Sequence, residues 1–147
     1  MAEIHTRIEA FFESYKSHFN KALARNDKET DDAFSGSFET CFVASGPQGV
    51  QCDKNDKSFI AAMKQGMEFY RSIGSKSMQI RNNEVTVLDS LHAISKISWR
   101  YVYRKDEKEG FIDFYVFYFL LIKPDTIKIF GYITGDEQSA LRQHGLI

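Results

Sequence analysis

Residues 111–123 read FIDFYVFYFLLIK. From Phe114 to Ile122 the run is apolar or aromatic throughout, with tyrosine hydroxyls as its only polarity and one carboxylate, Asp113, just before it. A membrane-spanning helix needs about 20 such residues, roughly twice what is present. A barrel strand of this length would need about seven companions. Phe, Tyr, Val and Ile are strand formers, so the stretch reads as a β-strand. Split by parity, its odd face carries Phe111, Asp113, Tyr115, Phe117, Phe119 and Leu121, and its even face Ile112, Phe114, Val116, Tyr118, Leu120 and Ile122. An antiparallel strand with one wet face alternates apolar and polar residues. This strand does not, so it is central, with a cover on each side.

The rest of the chain supplies one cover. Residues 4–25 place Ile4, Ile8, Phe11, Phe12, Tyr15, Phe19, Ala22 and Leu23 at three-to-four spacing, the stripe of an amphipathic helix. A short helix or turn is expected around Asp31–Phe34, and FETCFVAS (38–45) reads as a strand ending in the turn GPQG (46–49). A second long helix spans 57–73, with Asp56 as N-cap, Gly74 after its last turn, and an apolar face of Phe59, Ile60, Met63, Met67, Tyr70 and Ile73. From Ser77 the period changes to two. SMQIRNNEVTVLD, LHAISKISWRYVYR, GFIDFYVFYFLLIK and TIKIFGYITG read as four strands, joined in part by the charged KDEKEG (105–110) and the tight KPDT (123–126). DEQSALRQHGLI adds a short terminal helix. The sum is one α+β domain over 1–147, helices on one face of a sheet. The economical cover for the other face is a second copy of the chain, so a homodimer through the outer sheet face is expected.

Composition removes several function classes. A net charge of −1 gives no basic field for nucleic acid or anionic membrane. The N-terminus MAEIHTRIEAFFESY lacks the basic start and apolar core of a signal peptide, and with the two scattered cysteines, Cys41 and Cys52, this points to a cytoplasmic protein with reduced thiols. The histidines His5, His18, His92 and His144 are equally scattered, so no metal site is expected.

The order of elements, the meander SWRYVYR…IDFYVFYFLL…IKIFGYITG and the strand-turn FVASGPQG resemble the NTF2-like superfamily, which includes nuclear transport factor 2, ketosteroid isomerase, scytalone dehydratase and SnoaL-type cyclases. The resemblance spans nearly the whole chain. It implies a cystatin-like cone, a curved mixed or antiparallel sheet wrapped around the N-terminal helices, with a pocket at one end and dimers through the outer face. Carried over residue by residue, Tyr15 falls where the isomerase has its helix-1 tyrosine. The base position falls at Ser45 or Gly46, and the strand acid at Phe117, none of which can do that chemistry. The isomerase reaction itself is therefore not expected.

The resemblance turns the odd face of 111–123 inward, with the Phe130, Tyr132, Thr134 face of the last strand. Trp99, Tyr101, Tyr115 and Phe117 would then face Phe12, Tyr15 and Phe19 of the first helix and Met63, Met67 and Tyr70 of the second. These residues either line a pocket for a small hydrophobic molecule or fill a core. In the first case Asp113 becomes a desolvated acid or base, Tyr15 a hydrogen-bond donor to a carbonyl, and His18 a further catalytic group. The chemistry would be a cofactor-independent isomerisation, dehydration or cyclisation. Alternatively Asp113 pairs with Arg100 or Arg104 at a wet strand end, and the domain is a non-catalytic dimeric module that binds a ligand or a protein.

Overall fold

Hydrophobic periodicity places the elements in the computed structural model, which describes residues 2–147. Helix α1 (Ala2–Ala24) buries its stripe, with Ile8, Phe12 and Ala22 wholly inaccessible. Helix α2 (Lys28–Ser35) starts at Asp27, whose carboxylate accepts from the Thr30 amide at 2.9 Å. Strand β1 (Phe38–Gly46) turns into β2 (Gly49–Lys54), a short exposed strand that the sequence pattern does not announce because it has no apolar face to show. Helix α3 (Lys57–Ser72) begins at the expected Asp56 cap, which accepts from Phe59 N at 3.1 Å. It ends before Gly74, whose φ of 88° lies in the left-handed region. A Cβ there would strike the carbonyl oxygen of Arg104. Strands β3 (Ser75–Val87), β4 (His92–Lys105), β5 (Lys108–Ile122) and β6 (Ile127–Ile133) form the meander, and α4 (Glu137–Gln143) closes the chain.

The six strands form one mixed sheet in the order β2-β1-β6-β5-β4-β3. β1 runs parallel to β6, and every other neighbour is antiparallel. Register shifts interrupt β1, β3 and the β5–β6 pair, and such bulges bend strands and strengthen twist. The helices pack on one face of the sheet. Asn20 of α1 exchanges two hydrogen bonds with the Met78 backbone of β3, at 3.0 and 2.8 Å. Arg71 of α3 donates to the carbonyls of Ala22 and Leu23, at 3.0 and 3.1 Å, closing the last turn of α1. No helix among the described residues is long and apolar enough to cross a membrane.

The central strand has one face in the core and one outside, but the faces are exchanged relative to the sequence expectation. Ile112, Val116, Tyr118, Leu120 and Ile122 point to the helices. The odd face, with Asp113, Tyr115 and Phe117, lies on the outer side of the sheet, where Tyr115 is 53% exposed. The cause is the β4–β5 hairpin. Its turn is the two residues Asp106 and Glu107, and Lys105 pairs with Lys108, so odd residues of β4 always face even residues of β5. Trp99 and Tyr101 point inward as expected, and they bring Phe114 and Ile112 with them. A second correction concerns Phe130. The β5–β6 register shifts between Phe119 and Leu120, so Ile129 and Tyr132 both face inward while Phe130, between them, packs outside against Phe119 and His92.

Candidate functional site

A cavity of about 390 Å³ lies between the open end of the helices and the inner face of the sheet. Its inner wall is Tyr15 and Phe19 of α1, Trp99 and Tyr101 of β4, and Val116 and Tyr118 of β5. Tyr70 of α3, Phe114 and Tyr132 lie toward its opening, with Thr134, Asp136 and Glu137 on the segment that leads into α4, whose buried Leu141 also lines the chamber. A second, shallower space of about 360 Å³ adjoins it, sharing Tyr132, Thr134, Asp136 and Glu137 and bounded by the β1–β2 turn with Gln48, Gln51 and Gln138.

Of the expected site residues, Tyr15, Phe19, Tyr70, Trp99, Tyr101 and Tyr132 do meet in this cavity. Phe12 and Met67 are solid core, and Met63 packs against that core. His18 is partly buried on α1 and does not line the cavity, and its Nδ1 has no partner among the described residues. Tyr115, Phe117 and Phe130 lie outside, as described above. Asp113 is not a desolvated acid. Arg100 donates to both its oxygens at 2.8 Å, Nε to Oδ1 and Nη2 to Oδ2. The guanidinium holds this carboxyl below its ordinary range and also stacks over Phe111 at 3.7 Å. Asp113 therefore pairs with Arg100 as the alternative reading has it, but inside β5 on the outer face of the sheet rather than at a strand end, and it does not line the cavity.

The inner wall carries a hydroxyl network that the sequence pattern did not announce. Trp99 Nε1–H donates to the Tyr118 hydroxyl at 3.1 Å. The Tyr15 and Tyr118 phenols are neighbours, their ring centroids 5.6 Å apart, and each acts on the other's pKa. Burial holds both phenols well above their ordinary pKa, and in Tyr15 its neighbour Tyr118 adds to the effect, so both stay protonated. The three groups bring three protons. One joins Trp99 to Tyr118. Beyond one another, the two phenolic O–H groups have no acceptor among the described residues, though Tyr15 is 9% and Tyr118 5% exposed. Both hydroxyl-bearing rings line the cavity, so a ligand oxygen there can accept a phenolic proton.

At the opening the polarity changes sign. Tyr70 donates to Glu137 Oε1, and burial, then the Glu137 charge, raises the Tyr70 pKa. Asp136 caps α4 by accepting from Ser139 N at 2.9 Å. Tyr101 is fixed by a hydroxyl–hydroxyl contact with Ser75. Glu137 and Asp136 were readable only as members of a terminal helix. Their signal lay in the chain order, since the segment after the last inward strand must cross the mouth of the sheet. Among the described residues no group of three or more His, Cys, Asp or Glu could hold a metal ion.

A mixed sheet with register shifts, helices packed on one of its faces and a cavity beside them fit the cystatin-like α+β class. Within it, the chain belongs to the family described as NTF2-like protein (DUF6841), which matches residues 2–137. Solved structures agree on the fold. An NTF2-like protein of unknown function from Shewanella oneidensis superposes with a TM-score of 0.65 at 14% identity, covering 88% of this chain and 96% of that one. A ketosteroid isomerase-like protein from Erwinia carotovora atroseptica gives 0.60 at 15%, covering 87% and 92%. Aln2 from a Streptomyces species gives 0.67 at 12%, covering 97% of each chain. No curated protein matches the sequence.

Proposed function

We propose that the protein binds a small hydrophobic molecule in the aromatic cavity, with an acceptor oxygen of that molecule on the spare tyrosine proton. The observation behind this reading is the proton count of Tyr15, Tyr118 and Trp99. An apolar chamber with a few convergent polar groups is the usual form of a small-molecule site, and a carbonyl oxygen would satisfy the donor. The test is calorimetric titration with 4-tert-butylcyclohexanone. The Tyr15→Phe/Tyr118→Phe double variant, checked for folding by circular dichroism, should bind about fivefold more weakly, the equivalent of one hydrogen bond. Each single variant still holds one free O–H and should lose less. Absence of binding to the wild type at millimolar concentration, or equal affinity in the double variant, overturns the reading.

A catalytic reading rests on Glu137, the cavity-lining carboxylate not engaged in helix capping. With a ketone bound so that its alpha carbon lies at the opening, Glu137 would take a proton from that carbon and return one to it, an exchange that needs a placed base. It predicts deuterium uptake by the same ketone in heavy water, seen by NMR and abolished in Glu137→Gln. Uptake equal to the buffer rate leaves a binding module.

The outer sheet face supports a homodimer. Val43, Tyr115, Phe130 and Ile133 are exposed there, beside Phe117 and Phe119. Lys96, which lies 4.6 Å over the Tyr115 ring, and Arg100 stand near Asp113 and Glu84 on this face, so a second copy turned about a two-fold axis can meet charges of opposite sign. Sedimentation at micromolar concentration should give a dimer for the wild type and a monomer for Tyr115→Glu/Phe130→Glu. A monomeric wild type refutes this.

A further inference from the structure

The charge inventory of the cavity points to the class of molecule it takes. The residues lining the chamber and the adjoining space include no lysine, arginine or histidine. Their charged side chains are Asp136 and Glu137, side by side at the opening. The field of Glu137 extends into the chamber. After burial, it contributes to the raised pKa of both Tyr70 and Tyr101, and Asp53 acts in the same direction on Tyr132. The rings near the opening, Tyr70, Phe114 and Tyr132, offer electron-rich faces. Carboxylates beside aromatic faces suit an ammonium group, through charge and through cation–π attraction. A ligand carboxylate or phosphate would meet like charge and no cation.

Resting on the reading that this cavity is the ligand site, we propose that it selects hydrophobic amines, with the apolar body in the chamber and the protonated nitrogen at the opening between Glu137, Asp136 and the Tyr70 and Tyr132 rings. The spare tyrosine donor at the inner wall is then free for an acceptor elsewhere on the same molecule. Two charges about 4 Å apart at a partly wet protein surface interact strongly enough to separate opposite ligand charges by tenfold or more.

The experiment uses one carbon skeleton with three head groups: 4-tert-butylcyclohexylamine, 4-tert-butylcyclohexanol and 4-tert-butylcyclohexanecarboxylate, titrated calorimetrically near pH 7. At low salt the amine should bind at least about tenfold more tightly than the carboxylate, with the alcohol between them. That gap should shrink in Glu137→Gln, and further in Asp136→Asn/Glu137→Gln, because amides keep the shape and remove the charge. It should also shrink in about 0.5 M salt, since the opening is exposed to screening ions. If the alcohol binds but the carboxylate matches or exceeds the amine, this inference falls and the cavity remains a binding site. A preference that survives both substitutions and high salt also overturns it, because its source is then not these carboxylates. Binding by none of the three removes the site itself.

Discussion

Two isosteric substitutions separate the roles of the paired tyrosines. Tyr118→Phe and Tyr15→Phe each delete one oxygen from a buried ring, and ring packing survives in both. Tyr118 lies 5.0 Å from Phe12 and 5.6 Å from Tyr15, centroid to centroid. What differs is the group left behind. Without the Tyr118 oxygen, Trp99 Nε1–H loses its acceptor, on a side chain only 1% exposed. An orphaned buried donor costs about 1–3 kcal/mol. Without the Tyr15 hydroxyl, Tyr118 still accepts from Trp99, so no buried donor is orphaned and the loss is about 1 kcal/mol or less. Tyr118→Phe should therefore be the less stable variant by about 1–2 kcal/mol. For a chain of 147 residues, each kcal/mol lowers Tm by about 2–4 °C, which places it about 2–8 °C below Tyr15→Phe. Thermal unfolding followed by far-ultraviolet circular dichroism measures the difference. Trp99 is the only tryptophan, so a single indole N–H resonance reports the local event: its solvent exchange should speed up in Tyr118→Phe and stay slow in Tyr15→Phe. Equal melting temperatures with a protected indole proton in both variants would refute the assigned hydrogen bond.

Other perturbations test the surrounding scaffold. Asp31 is 4% exposed and burial raises its pKa above the ordinary 3.8; a raised acid lowers stability as pH climbs from its unfolded value through its folded one. Asp31→Asn should thus be more stable than the wild type to urea at pH 7, with the advantage fading below about pH 4. Arg71→Met removes the Nη1 group that donates to two C-terminal carbonyls of α1 and should cost about 2 kcal/mol by chemical denaturation. Asp113→Asn breaks an exposed pair whose carboxyl is depressed by Arg100, so its contribution exists above the unfolded carboxylate pKa and disappears in acid. At pH 7 the Tm should change by no more than about 2 °C, and ketone binding should not change at all. Glu107 sits at φ 65° in the β4–β5 turn, where Glu107→Gly should add about 0.5–1 kcal/mol in the same unfolding assay.

Much of the fold was legible because its signals are local. The α1 stripe, the Asp56 cap, the glycine after α3 and the period-two meander each depend on residues a few positions apart, and local periodicity is what a helix or a strand face imposes. The site was half legible for the same reason. Tyr15, Phe19 and Tyr70 follow from helix faces, and Trp99 and Tyr101 from a strand whose other face is plainly polar, with Lys96, Ser98 and Arg100. Asp136 and Glu137 depend instead on where the chain goes after β6, a long-range fact with no periodic trace. Strand β2 escaped because, at a sheet edge with both faces wet, nothing selects for alternation.

The central strand failed in a different way, and the failure locates the deciding information. In β5 both faces are apolar, so hydrophobicity cannot choose between them, and a shift of one residue exchanges every side chain. Register must then come from a neighbour. Strand β4 has an unambiguous inner face, and the turn transmits it: with two residues at positive φ, the hairpin is of the two-residue primed type. Paired positions in β4 and β5 then sum to an odd number, as in Lys105 with Lys108. A three-residue turn would have made that sum even and turned Asp113 and Phe117 toward the helices. The parity of one exposed, highly charged loop therefore decides that Tyr118 rather than Phe117 meets Tyr15, and so whether this cavity has a hydroxyl donor at all. Asp-Gly would announce such a turn, whereas Asp-Glu conceals it, because a glutamate at positive φ is unfavourable on its own and is held there by the strand pairing on either side.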